Sequence, residues 1–502
     1  MVILMKHIRA TNPIFENKSH GSGGGFAVLK NYWEKFDLSL LYMRLNKHSG
    51  TPSWLLLFMY VCGLLSNPNS VNNISQKVSE SPVLHTITGF TTVTQCALSR
   101  FMARVTDWVA LGTERLKVFL SHPILKLEPD DVIAVDDTKI EHPYGHKIPF
   151  LCWLFDSSEK INVYCMNLVT TLAVKANGLE FPLLWRIWRK TDKVEQKKSK
   201  IELVKQMLLH IRQQVGDIPL WVAMDRWFLC KNLFKWLESI NFNWVTKAKS
   251  NTALFQLTWY DANGKPRFRP VNPRQLLMQV AHRFIGKKNE RVSIAIPDIF
   301  IKMPEQKVGK RGRVVTKYKY VPIAAIAVTR LPEDVEQRAT LQSSDASIAA
   351  YHGTHLIISN RHDAPEAALE AYVKRWRIEV FYRAAKQELG LTSCLAQNEY
   401  SHMAHIEMLF VAETLVRVAM WELHLLNEED KGDDIIFTHG QVLKGIFTAS
   451  CRIVSVTQQG IESIQVYFDT TGTLFSRFIR KKWPTFMSLV PWVINHIFEA
   501  TA

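Results

Sequence analysis

Tyr372, Arg375, Glu379 and Lys386 share one segment, DAPEAALEAYVKRWRIEVFYRAAKQELGL, from Asp363 to Leu391. Asp363 and Glu366 are spaced for a capping box, Pro365 fits a first turn and Gly390 supplies a stop, so one helix of about 26 residues is expected. At about 100° per residue, Arg375, Glu379, Arg383 and Lys386 all fall within about 60° of Tyr372. Ala371, Ile378, Phe381, Ala385 and Leu389 lie on the opposite side and should be buried. On an arbitrary helix such a polar face is solvated and holds an i, i+4 Glu379 to Arg383 pair. Here a single acid stands among Arg375, Arg383, Lys386 and the more lateral Lys374, beside aromatic Tyr372 and Trp376. That set suits a surface on which bases hold phosphate oxygens and one carboxylate holds a hard cation.

Two further acids end apolar runs. Asp136 and Asp137 follow VIAV, and Asp225 follows PLWVAM; the carboxyl ends of strands are where open α/β sheets place their ligands. Taken singly, Asp225 reads as the N-cap of a helix beginning at Arg226, and the Asp136–Asp137 pair as the start of a turn. Taken together with Glu379 on a basic helix docked on the same sheet, they form a ligand set for two Mg²⁺ ions. Such ions activate an attacking oxygen, stabilise a leaving oxygen and neutralise the phosphorus between them.

The elements that must position these groups are legible in outline. From Phe26 to about Pro123 apolar residues recur at helical spacing. After Pro129 the pattern changes to the strand-like runs DVIAVDD, INVYCMNLVTTLAV, LEFPLLWRIW and IPLWVAMD, with helices expected over 201–215 and 226–240, which is an α/β sheet with crossover helices. A basic linker, Arg189 to Lys200, precedes the first of these helices. Between about Ser250 and Gly353 alternation returns, as in VVTKYKYVPIAAIAV, and predicts a β-rich insertion before strand HLIISN resumes the sheet. Ser19 to Gly25 (SHGSGGG) reads as a flexible joint. The last seventy-odd residues are mixed and contain RFIRKKW.

At 502 residues the chain should divide into about three or four units, and its formal net charge of +16 makes a polyanion the expected partner. The longest apolar run, Trp54 to Leu65, is shorter than the roughly twenty residues of a spanning helix and reads as a buried helix, so no membrane partner is expected. The N-terminus lacks the pattern of an export signal, and seven cysteines without a Cys-x-x-Cys pair read as reduced thiols in a cytosolic protein. His142 with His146, and His402 with His405, have spacings that invite a metal reading but no matching partner set. Cys230 reads as a packed thiol. The basic stretch Lys307 to Lys319 is equally a solvated edge or a DNA-backbone contact.

The spacing Tyr-(2)-Arg-(3)-Glu-(6)-Lys, formed by Tyr372, Arg375, Glu379 and Lys386, resembles the signature of DDE transposases of bacterial insertion sequences. YVKRWRIEVFYRAAK looks like that family almost residue by residue, and AVDDT and VAMDRWF resemble its first and second Asp motifs. The resemblance implies an α/β fold: an RNase H-like catalytic domain in two parts, 126–249 and 353–425, interrupted by a β-rich insertion at 250–352. A flexible arm (1–25), a helical DNA-binding domain (26–125) and a C-terminal segment (426–502) would flank it. It also implies a homodimer in the synaptic complex, double-stranded DNA as partner at both transposon ends and target, and Mg²⁺, with Mn²⁺ as a substitute. Glu379 becomes the third metal ligand after Asp225 and one of the Asp pair, while Tyr372, Arg375 and Lys386 contact phosphates, with Arg383 and Trp376 on the same DNA-facing surface. Alignment on Thr138 favours Asp137 as the first ligand, whereas family members with Asp-Gly-Thr favour Asp136; strand alternation admits only one, and Asp137 is taken here. In the family's hairpin-forming members an aromatic from the insertion holds a flipped base. A nuclease that cuts without joining and a non-catalytic DNA-binding regulator are the competing expectations.

Overall fold

The computed structural model describes residues 19–20, 23–46, 50–148, 150–156, 159–190, 198–284, 292–308, 314–329, 354–429, 438–457 and 460–467. The segment RFIRKKW lies outside them.

The first part of the chain is helical: α1 (Gly25–Lys35), α2 (Leu38–Met43), α3 (Ser53–Leu64), α4 (Val71–Ser79), α5 (Pro82–Thr88), α6 (Gln95–Arg104) and α7 (Trp108–Ser121). Side chains of Ser70, Ser81, Thr94 and Asp107 accept backbone N–H bonds at the starts of α4 to α7, satisfying donors that a helix leaves unpaired. Every residue of α3 is buried, so the apolar run is the interior helix its length implied. Ser19 to Gly25 is not a free joint. Ser19 and His20 form a short strand β1 that pairs with Arg452 and Cys451, Gly23 and Gly24 donate to the carbonyls of Phe447 and Ala449 at 2.7 and 2.6 Å, and a Cβ on Gly25 would meet the Ile446 backbone at 2.5 Å. Glycine here serves close approach of two backbones rather than flexibility.

The sheet begins with β2 (Val132–Glu141), β3 (Cys152–Asp156), β4 (Ile161–Val174) and β5 (Glu180–Trp188). After α8 (Lys200–Val215) come β6 (Leu220–Met224), a short 3₁₀ turn at Arg226–Phe228, α9 (Lys231–Ser239) and β7 (Phe242–Lys247). Strands β5, β4 and β2 run antiparallel in that order, and β2, β6 and β7 are parallel. Three antiparallel strands followed by two parallel ones, in the order third, second, first, fourth, fifth, is the RNase H-like arrangement. β3 pairs with the start of β4 on the edge that β5 also uses. The crossover helix α8 starts at a capping box, Ser199 with Glu202.

The insertion contributes to two sheets. β8 (Leu254–Tyr260), β9 (Pro266–Val271), β11 (Ile299–Val308) and β12 (Val314–Pro322) make a four-stranded sheet, and α10 (Pro273–Val280) follows β9 in the chain. β10 (Ser293–Ala295) and β13 (Ala324–Thr329) instead extend the main sheet through β14 (Thr354–Ser359), which pairs with β7. Lys307 and Lys319 lie on the β11–β12 hairpin, whose tip, 309–313, is outside the described residues.

After β14 come α11 (Pro365–Lys374), α12 (Trp376–Gln387), the long α13 (Glu399–Glu429) and α14 (His439–Thr448), then the antiparallel pair β15 (Ser450–Thr457) and β16 (Gly460–Tyr467). The apolar faces of the N-terminal helices, the sheet and α13 merge into one continuous core. No helix among the described residues is long and apolar enough to cross a membrane.

Candidate active site

The site is set first by strand register. Val135 on β2 lies beside Met224 on the parallel strand β6, so the next residues, Asp136 and Asp225, come side by side; β6 ends there, but β2 runs on to Glu141, so the Asp pair lies within its strand and not at the strand end or turn expected. Alternation sends Asp136 and Asp137 apart. Arg375 Nη1 donates to Asp136 Oδ2 at 3.3 Å, while its Nη2 donates to Glu379 Oε1 at 2.6 Å. The Asp136 carbonyl accepts from the Tyr382 hydroxyl at 3.0 Å, which fixes α12 against β2. Burial pushes the Asp136 carboxyl up to about 7 against the pull of Arg375, and the charges of Asp137 and Asp225 add to the rise.

Asp137 is engaged elsewhere. Its Oδ2 accepts from Lys200 Nζ at 2.8 Å and from Asn167 Nδ2 at 2.7 Å. Asp225 caps the turn after β6, accepting from the Trp227 N–H at 3.4 Å, and its charge acts on Asp136 and Tyr372.

The expected single helix from Asp363 is divided at Arg375. Arg375 N–H bonds to Tyr372 O and Ile378 N–H to Arg375 O, at 3.1 and 3.2 Å, three-residue steps that tighten the helix where Arg375 turns toward the acids. The expected capping box is also absent. Ala364 occupies the cap position without a side-chain bond, and Asp363 is held by Arg361 in a fork of 2.9 and 3.0 Å. The buried face is as expected, with Ala371, Ile378, Phe381, Ala385 and Leu389 all buried. Glu379 pairs with Arg375, not Arg383.

Of the basic stripe, then, Arg375 is among the acids, and Tyr372 joins it, its ring 5.6 Å from the guanidinium. Burial raises the Tyr372 phenol, with Arg375 opposing. Lys386 lies further along β2, donating to the Lys139 carbonyl at 2.9 Å, and burial lowers its ammonium. Arg383 and Trp376 face solvent.

The donor set fits a hard divalent cation in type, since Asp136, Asp225 and Glu379 offer only carboxylate oxygen. Among the described residues no three acidic, histidine or cysteine groups converge closely enough to hold an ion; Arg375 bridges Asp136 and Glu379 and supplies the positive charge there. The histidines weighed as ligands have other surroundings. His142 and His402 rings meet edge to face at 5.0 Å, and His405 sits between the Tyr60 hydroxyl and the Gly390 carbonyl, each at 2.8 Å. Burial holds both His402 and His405 down at about 4. Cys230 is partly buried at the start of α9.

Sequence reasoning passed over Lys200 and the tryptophans near it. Lys200 Nζ lies 5.7 Å from the Trp188 ring and 5.2 Å from that of Trp227. The available signal was Trp227 itself, a bulky apolar residue two places after a strand-end acid.

No curated protein matches the chain. Among solved structures it is similar to a piggyBac transposase in a synaptic complex with hairpin DNA. The identity is 9%, the coverage 87% of this chain and 80% of that one, and the TM-score 0.43, a likeness too distant to carry an argument. The transposase DDE domain family matches residues 128–415, more than half of the chain and the whole span from β2 through α12 that holds these acids, and the chain belongs to that family.

Proposed function

We propose that this chain is a DNA strand-transferase that cleaves the ends of its own element and joins the freed 3′-OH to target DNA, with Asp136, Asp225 and Glu379 as its metal-holding acids. The observation that carries the reading is the Arg375 guanidinium joining Asp136 on β2 to Glu379 on α12, with Asp225 following the β6 residue that pairs beside Val135. Bound Mg²⁺, or Mn²⁺ in its place, supplies charge neutralisation and activation of oxygen for in-line displacement at phosphorus. The chain's own residues do the rest. Arg375 is placed to move from the carboxylates to a backbone phosphate, Tyr382 keeps β2 and α12 in register, and Lys386 and the exposed Arg383 present donors to the DNA backbone. Asp137 becomes a positioning residue that holds Lys200. A homodimer that brings two ends together belongs to the same reading.

The test uses duplexes carrying the inverted repeats that flank the gene. Asp225→Asn and Glu379→Gln are expected to abolish Mg²⁺-dependent cleavage while binding stays within a few-fold of the parent. Near-normal cleavage in either variant removes that acid from the site. Cleavage without joining in the parent protein makes the chain a nuclease, and binding without cleavage makes it a regulator.

A further inference from the structure

Trp227 is a bulky apolar side chain that stays 54% exposed although it sits at the strand end beside the acids. Its loop is not free. The backbone N–H bonds to Asp225 at 3.4 Å, and the neighbouring Phe228 is fully buried beneath it, its ring 5.8 Å from the indole at an interplanar angle of 64°. Lys200 fixes the other side: its Nζ is bonded to Asp137 at 2.8 Å and lies between the rings of Trp227 and Trp188. A singly exposed indole is common on protein surfaces and by exposure alone means nothing. This one is backed by a buried ring and flanked by a pinned cation, next to the carboxylates assigned to the phosphate chemistry. Flat, rigid, accessible aromatics beside basic groups are how proteins hold unpaired bases, because every base has a face to stack.

We infer that the Trp227 indole is a stacking platform for a nucleobase unpaired next to the scissile phosphate, with Lys200 and Trp188 fixing its position. The inference rests on the proposed function and adds a base-holding residue from the second Asp motif rather than from the insertion.

The experiment measures binding of the full chain, without divalent metal, to two probes: a blunt duplex and the same duplex with short unpaired tails and 2-aminopurine at the fork. The parent should prefer the fork and quench 2-aminopurine. Trp227→Phe should keep the quench, and Trp227→Ala should lose it, with about a tenfold loss of fork affinity and unchanged blunt-duplex affinity. A Trp227→Ala protein that quenches and prefers the fork like the parent overturns the inference and leaves the proposed function standing, as does a parent that binds both probes alike. A parent that binds neither probe overturns both.

Discussion

At the scale of single residues, the two neighbouring aspartates make the sharpest comparison. Asp136 faces Arg375 and Glu379 while Asp137 is bonded to Lys200 and Asn167. Asp136→Asn is therefore expected to remove Mg²⁺-dependent cleavage by at least about a thousandfold, roughly 4 kcal/mol of barrier, and Asp137→Asn to leave cleavage measurable. Cleavage rates of the two variants on one substrate check this, and the reverse order would return the metal to Asp137. The basic residues divide similarly. Arg375 is already paired with two carboxylates, so without divalent metal Arg375→Ala should change the salt slope of DNA binding little. Arg383→Ala, lost from solvent, should reduce the slope by about one. Binding across a salt series separates them. The sequence made Asp225 and the Asp pair visible as acids following apolar runs, and Glu379 as the single acid on a basic helix face, although β2 runs on past the Asp pair to Glu141. The choice within the pair was not visible, because it depends on a lysine 63 residues further on whose side chain reaches back to Asp137.

At the scale of elements, periodicity located most of what holds the site. β4 is the run INVYCMNLVTTLAV, and the buried face of α11 and α12 follows the helical stripe. β7, FNWVTK, carries polar Asn243 and Thr246 among its apolar residues and gave no strand signal, although it joins β6 to β14. Long-range pairing also decided that β10 and β13 leave the insertion for the main sheet. Nor did local sequence show how α14 is attached. His439 lies between Glu388 and Glu413, and Arg417 joins Glu413 to Glu180. Burial alone would lower His439, yet Glu413 and Glu388 push it up to about 9. Burial would raise Glu413, yet Arg417 and His439 hold it down to about 2. The signs give a window. The raised histidine stabilises the fold fully below about 6.5, its usual value, and loses that effect as pH climbs through about 9. The depressed acid contributes above about 4.5 and fails as pH falls toward about 2. His439→Gln should lower stability at pH 7 by on the order of 2–3 kcal/mol. Thermal denaturation of both proteins from pH 6 to 10 should show the gap closing above about pH 9; a constant gap would assign the loss to packing.

At the scale of the whole molecule, composition bounded the class and the charge but not the way the parts are joined. The N-terminal helices are bound to α13 by a buried pair, Arg115 with Glu407 at 2.6 Å, reinforced by Trp185 Nε1 on Glu407 at 2.7 Å and by Tyr60 on His405. A helical unit read as separate from the catalytic sheet thus shares its core. Removing one partner leaves a buried charge alone, so Glu407→Ala should cost about 3–5 kcal/mol, read in urea denaturation. Gly112→Ala should also destabilise, since its Cβ would lie 2.8 Å from a Glu407 oxygen. The same pair places a delay in the life of the chain. Arg115 and Glu407 are 292 residues apart, so at synthesis rates of about 5–20 residues per second Arg115 waits roughly 15–60 s for its partner. Throughout that interval the sides of α1 and α3 that α13 covers have no helix against them. Slowing translation between α7 and α13 at a fixed chaperone supply should therefore reduce soluble yield, and faster translation of that stretch should raise it; equal yields in both cases would show that the wait has no effect.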